Sequence, residues 1–134
     1  MSKIASDVVQ INQPQEKIFN FLNNFNNFEK LMPSQVTNWQ STENSCSFTI
    51  NGMATVGMKI KSCKLFSEIN IVSDGGKLPF EFTLNVFITS TGPESCTGQL
   101  VFEADIPIFL RPMIEKPLGN FFNMLANKMK DIQP

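Results

Sequence analysis

The side chains that could do chemistry in this sequence are few and scattered. Two residue types are missing altogether: the 134 residues include no His and no Tyr. Histidine is the commonest general acid/base and the commonest metal ligand. Its absence excludes Ser-His-Asp and Cys-His catalysis, together with His-based zinc, haem and non-haem iron sites. Carboxylates, lysines and cysteines remain. Asp7 shares a strand phase with Val9 and Ile11, and Glu115 stands at the edge of a helical apolar arc. Either one, turned inward, would be an acid/base candidate with a raised pKa. Val8 is apolar too, which leaves the phase ambiguous, and a rim or surface position is the expected one for both acids. Cys46 and Cys96 share the apolar phase of their strands, a pattern open to a redox pair or a thiolate metal site. No basic or His neighbour is at hand to lower their pKa, so two buried inert thiols are the favoured reading. Arg111, the single arginine, precedes Pro112 and could clamp a carboxylate or phosphate. A lone arginine in such a place more often pairs with an acid or lies in solvent. Lys59, Lys61 and Lys64 read as a solvated strand face. On this reading no catalytic residue, metal ligand or cofactor site is assigned.

Composition narrows the class further. Apolar residues make up 42% of the chain and charged residues 17%, which describes a globular protein and not a disordered one. Eleven Lys+Arg against twelve Asp+Glu, with no basic block, argue against nucleic acid as a partner. The start of the sequence, from Met1 to Asp7, has no signal-peptide core, and no apolar run approaches a membrane span, so stable membrane insertion is not expected. Three widely spaced cysteines form no disulfide framework and suit a reducing cytoplasm. The length fits one domain, residues 1–134. The sequence assigns no oligomeric state.

The elements that must position these residues are easier to read. Ile4 to Ile11 is a strand rich in Ile and Val. Asn12 suits an N-cap and Pro14 the start of a helix carrying Ile18, Phe19 and Leu22 on one face. Asn23-Asn24 breaks the pattern, a second short helix runs from Phe25 to Leu31, and Pro33 ends it. Strands follow over Val36–Thr42, Ser45–Ile50, Thr55–Phe66 and Ser67–Ser73, with Asn51-Gly52 as a hairpin turn and Asp74 to Lys77 as a glycine-bearing loop. Phe80, Phe82, Leu84, Val86 and Ile88 alternate with polar residues, Phe87 excepted. After Gly92-Pro93, Leu100, Phe102, Ala104 and Ile106 do the same. One-sided strands of this kind make an antiparallel sheet with one covered face. From Pro112 to Ile132, the residues Ile114, Leu118, Phe121, Phe122, Leu125, Met129 and Ile132 share an arc of about 100° at the helical period. Asn120, Asn123, Asn127, Lys116 and Lys130 lie opposite. A membrane-surface helix would carry a denser Lys/Arg face, so this stripe is expected to pack on the sheet.

Ile11-Asn12-Gln13-Pro14-Gln15-Glu16-Lys17-Ile18-Phe19, and the run from Phe102-Glu103-Ala104-Asp105 to Pro117-Leu118, resemble the helix-grip superfamily (SRPBCC). Its members include plant pathogenesis-related proteins and the birch pollen allergen, steroidogenic lipid-transfer domains, and polyketide cyclase/dehydrase and lipid-transport proteins. The resemblance spans the whole chain and implies an α+β fold. Its form would be a seven-stranded curved antiparallel sheet wrapped around a long C-terminal helix, with two short helices after the first strand. It also implies a cavity between sheet and helix for a hydrophobic small molecule or lipid. The expected lining is Phe48, Met58, Ile60, Phe82, Leu84, Val86, Phe102, Met113, Phe121, Phe122 and Leu125, with Arg111 beside it. Such a pocket would measure several hundred Å³. Methionines adapt to irregular shapes, and Met58 and Met113 would suit it. The same side chains could equally fill a solid core, given 13 phenylalanines. Two further functional readings stand beside binding. One is a cyclase/dehydratase using Asp or Glu, and the other is a scaffold acting through an apolar surface around Phe25, Phe28 and Phe87.

Overall fold

The computed structural model describes residues 2–50 and 54–134; the Asn51-Gly52 turn lies outside them. Its elements run β1 (Ser2–Ala5), β2 (Val9–Ile11), α1 (Gln15–Leu22), α2 (Phe25–Phe28) with a 3-10 turn over Glu29–Leu31, and β3 (Val36–Ser41). They continue with β4 (Ser45–Ile50), β5 (Ala54–Lys64), β6 (Glu68–Gly76), β7 (Phe82–Gly92) and β8 (Ser95–Ala104). A 3-10 turn over Ile108–Leu110 then leads into α3 (Arg111–Met129). The strands form one antiparallel sheet in the order β1-β8-β7-β6-β5-β4-β3, with β2 also on β8. Its covered face holds α3, and α1 and α2 follow the first strands as expected.

Eight strands replace the expected seven because the first is broken. β1 pairs Ala5 with Val101, whereas β2 pairs Val9 with Gly98, so one extra residue sits on the N-terminal side. Ser6 fills the break. Its backbone N–H donates to the Leu100 carbonyl at 2.8 Å, and its hydroxyl accepts from the Leu100 N–H at 2.9 Å. A bulge of this kind reverses which residues face inward. Ser2 and Ser6 are buried on one side of it, Val9 and Ile11 on the other, and Asp7 and Val8 are left exposed. Asp7 thus takes the surface position expected for it, on the side of the strand away from the core. The Asp7 N–H donates to Asn123 Oδ1 at 2.8 Å, which ties the bulge to α3.

Other boundaries shift for equally local reasons. Pro14, extended at φ −61° and ψ 144°, occupies the N-cap of α1 without a side-chain cap, so Asn12 does not serve there. Asn24 does cap α2, accepting the Asn26 N–H at 2.9 Å. Phe66, at φ 66°, turns the chain after β5 and ends that strand at Lys64. The expected loop after Ser73 is part of β6. Gly75 and Gly76 take φ of 73° and 80°, and the register slips between Val56 and Met58 opposite them. Gly57 lies against this bulge so closely that an added Cβ would fall on the Asp74 carbonyl oxygen. Glycine is needed there for approach and at 75–76 for positive φ.

α3 behaves as its stripe required: Leu118, Phe121, Phe122, Leu125 and Met129 are buried, with Ile132 just past its end. Ile114 is half-buried. No residue of α3 before Leu118 is fully buried, its N-cap Leu110 provides no side-chain bond, and Pro117 stands inside it. Proline has no N–H to offer the carbonyl four residues back, so the helical ladder is interrupted at Met113.

Candidate functional site

Between the sheet and α3 lies a small void of about 30 Å³. Its walls come from β4 (Phe48, Ile50), β5 (Val56, Met58), β7 (Phe82, Leu84), β8 (Phe102) and α3 (Leu118, Phe121, Phe122, Leu125). Phe28 of α2, with Met32 and Leu78 from connecting segments, completes the lining. Every one of these side chains is apolar. A water fits in roughly 10–15 Å³ but needs polar partners, which this lining lacks, so the void is dry.

Aromatic rings account for its small size. Phe82 stacks on Phe102 at 5.2 Å between centroids, Phe102 meets Phe122 at 5.2 Å, and Phe122 meets Phe121 edge-on at 5.5 Å. This row crosses from β7 over β8 to α3 and fills the interior. Trp39 stacks on Phe48 at 5.2 Å on the opposite flank, with its Nε1–H donated to Ser41 Oγ at 3.0 Å. The space is far below the several hundred Å³ expected.

Directly outside is an open groove of about 700 Å³, lined by Gln35, Ile50, Pro112, Met113, Lys116, Pro117, Asn120, Phe121 and Met124. Ile50 and Phe121 belong to both groove and void. They are the side chains across which the two spaces meet. Gln35 Nε2 reaches Met124 Sδ at 3.8 Å.

Of the residues named from the sequence, Phe48, Met58, Phe82, Leu84, Phe102, Phe121, Phe122 and Leu125 converge on the void. Val86 is fully buried but lies further along β7, opposite Ile69. Ile60 is half-buried and packs against the core outside the void. Met113 is 64% exposed on the groove wall. Arg111 donates its Nε–H to the Ile106 carbonyl at 3.0 Å and lines neither space. Phe28, Met32, Ile50, Val56, Leu78 and Leu118 were missed. Ile50 and Val56 continue the inward phases of β4 and β5, a signal that was there to follow; Met32 and Leu78 sit in connections, where no periodicity points inward.

The titratable groups stand apart from this space. Asp7 is exposed, Glu115 is half-buried, and neither lines the void. Burial pushes the Cys46 thiol up to about 12 and raises Cys96 as well; both are free. Phe25 and Phe28 are buried and Phe87 is half-buried, so the surface patch expected around them is not there. The most exposed large apolar residues among those described are Ile108, Phe109, Leu65, Met113 and Val8. Among the described residues no group of three or more Cys, Asp or Glu could hold a metal, and no helix is long and apolar enough to cross a membrane.

A curved antiparallel sheet holding a C-terminal helix, with two short helices after the first strands, is the helix-grip fold. The chain is similar to a START superfamily protein from Mycobacterium smegmatis, with a TM-score of 0.75 at 15% identity over 96% of this chain and 94% of that one. A protein from Thermus thermophilus gives a TM-score of 0.77 at 14% identity over 97% and 95%. Norcoclaurine synthase from Thalictrum flavum, solved in complex with dopamine and hydroxybenzaldehyde, gives 0.70 at 13% identity over 99% and 88%. No family model matches the sequence, and no curated protein matches it.

Proposed function

We propose that this chain binds a small apolar molecule, or the apolar part of a lipid, between the sheet and α3. The observation that carries the reading is the dry, wholly apolar void that meets an open groove across Ile50 and Phe121. Three features support it. Met32 and Met58 in the lining can reshape around a guest. The first part of α3 beside the groove, from Arg111 to Pro117, has no fully buried side chain. A protein of the same fold, norcoclaurine synthase, was solved with two small molecules. A guest larger than a few atoms requires the aromatic row to yield, with Phe121 turning toward the groove.

An acid/base enzyme has less support, since no carboxylate lines the void. A filled-core scaffold is the second reading, and the void's volume of about 30 Å³ favours it. Three free thiols fit a reducing compartment, and we place the chain in the cytoplasm on that ground.

Titration with an environment-sensitive naphthalene sulfonate dye separates the two main readings. Binding predicts a saturable site from which a long-chain fatty acid displaces the dye. Phe122→Ala, which removes one ring of the row, is expected to cost about 3–5 kcal/mol of stability and to tighten dye binding by enlarging the space. If neither the native protein nor Phe122→Ala shows a saturable, displaceable site, the scaffold reading stands and the binding reading falls.

A further inference from the structure

The groove along α3 and the void it meets differ in polarity. No polar side chain lines the void, so a hydrogen-bonding group carried into it would lose its water and gain no partner. The polar end of a guest therefore stays in the groove, where Gln35, Lys116 and Asn120 stand among apolar side chains. Lys116 is exposed and is the only charged residue lining the groove. Its neighbours three and four positions away on α3, Pro112, Met113, Gly119 and Asn120, include no acid. Among the described residues the one ion pair joins Lys64 to Glu68, so Lys116 is unpaired.

The surrounding charges leave that positive end in place. Arg111 and Glu115 lie about 150° or more round α3 from the middle of its groove-lining arc at the 3.6-residue period, and neither lines the groove. Asp105 and Glu103 line a separate groove, together with Lys59 and Lys61. Glu29 and Lys30, the charges nearest Gln35 in the chain, do not line it either. Asn51, Gly52 and Met53, outside the described residues, carry no charge. Gln35 adds a second donor at little cost, because its Nε2–H is engaged only by Met124 Sδ, a weak acceptor, at 3.8 Å. A carboxylate only accepts, so it suits these two donors better than a hydroxyl or an ammonium. Lys116 precedes Phe121 by five residues, about 7.5 Å along the helix axis. Pro117, Met124 and Ile50 wall the groove over that distance with apolar surface. We propose that the guest is a long-chain carboxylic acid whose carboxylate rests on Lys116, beside the Gln35 amide. Its chain crosses the groove and enters the interior between Ile50 and Phe121. A short acid ends before that entrance and gains nothing from the apolar interior. The head-group preference rests on the binding reading above and names the class of guest within it.

Displacement of a neutral probe, N-phenyl-1-naphthylamine, tests the head group with one chain and three ends: dodecanoate, dodecanol and dodecylamine at neutral pH. Dodecanoate is expected to displace the probe at the lowest concentration and dodecylamine at the highest, with hexanoate ineffective. High salt should narrow the gap between dodecanoate and dodecanol. Lys116→Gln should weaken dodecanoate about 5-fold, the fold-change of a well-placed exposed charge pair, and leave dodecanol unchanged. Lys116→Glu should put dodecylamine ahead of dodecanoate. Lys116 is exposed, and an unchanged circular dichroism spectrum verifies that both variants fold. A probe site at which the three ends compete equally overturns the head-group assignment and leaves the pocket standing. So does a Lys116→Gln variant in which dodecanol weakens as much as dodecanoate. A native protein with no saturable probe site overturns the pocket and the head group together.

Discussion

Cys46 is 6% exposed on the inner face of β4, and burial alone holds its thiol near 12 against an ordinary 9.0. Below pH 9 the thiol is protonated in both folded and unfolded chains, so it leaves stability unchanged with pH. Above pH 9 the unfolded chain releases the proton and the folded one keeps it. Stability should then fall by up to about 1.4 kcal/mol per pH unit on this account, until the folded thiol itself ionises near 12. Denaturant titrations from pH 8 to 11 on the native protein and on Cys46→Ala measure the difference. The alanine variant should lose part of that slope, and parallel profiles would contradict the assignment. At this scale the sequence was an uneven guide. The inward phase of Cys46 and Phe48 followed from the alternation in β4. The surface position of Asp7 was expected, but the phase of its strand stayed ambiguous, because a bulge adds a residue without leaving a compositional mark at Ser6-Asp7-Val8.

The strands show why bulges are the places where reading by pattern stops. Phe82, Leu84, Val86 and Ile88 keep period two because β7 pairs with β8 in unbroken register from Phe82 to Ser90, and their alternation was legible without coordinates. β5 and β6 change register twice, and there Gly75 and Gly76 were legible only as turn residues and Gly57 only as part of a strand. Their actual work is to let two backbones meet within a paired region. Gly57→Ala should therefore destabilise by at least ~2 kcal/mol, since its Cβ would meet backbone and not a movable side chain. A comparable change at Gly92, which meets only the Ser95 hydroxyl at 3.1 Å, should cost less. Urea midpoints for the two variants give the comparison; equal losses would show that the β5–β6 contact is not the cause. The stripe on α3 was legible from Leu118 onward for the same reason as β7. Met113 was misplaced because the helix starts beyond the sheet's reach, a matter of tertiary position on which helical period is silent.

At the scale of the molecule, the sheet holds only part of its helix. The row from Phe82 through Phe102 and Phe122 to Phe121 joins β7, β8 and the middle of α3 into one packed body. Asn123, bonded to the Asp7 N–H, adds the N-terminal strands to that body. Arg111 to Pro117 adds to it only the half-buried Ile114 among its large apolar side chains, and is uncapped and interrupted by proline. A helix of 19 residues is thus expected to behave as two cooperative units of unequal stability. Amide hydrogen exchange should separate them: amides up to Lys116 exchanging through small local openings, and those from Leu118 to Met129 approaching the protection of global unfolding. Uniform protection along α3 would mean a single unit. If two are found, the terminal third of the helix melts and re-forms many times within the lifetime of one folded molecule, and the interior is sampled by solvent and solutes through that fraying end while the sheet stays intact.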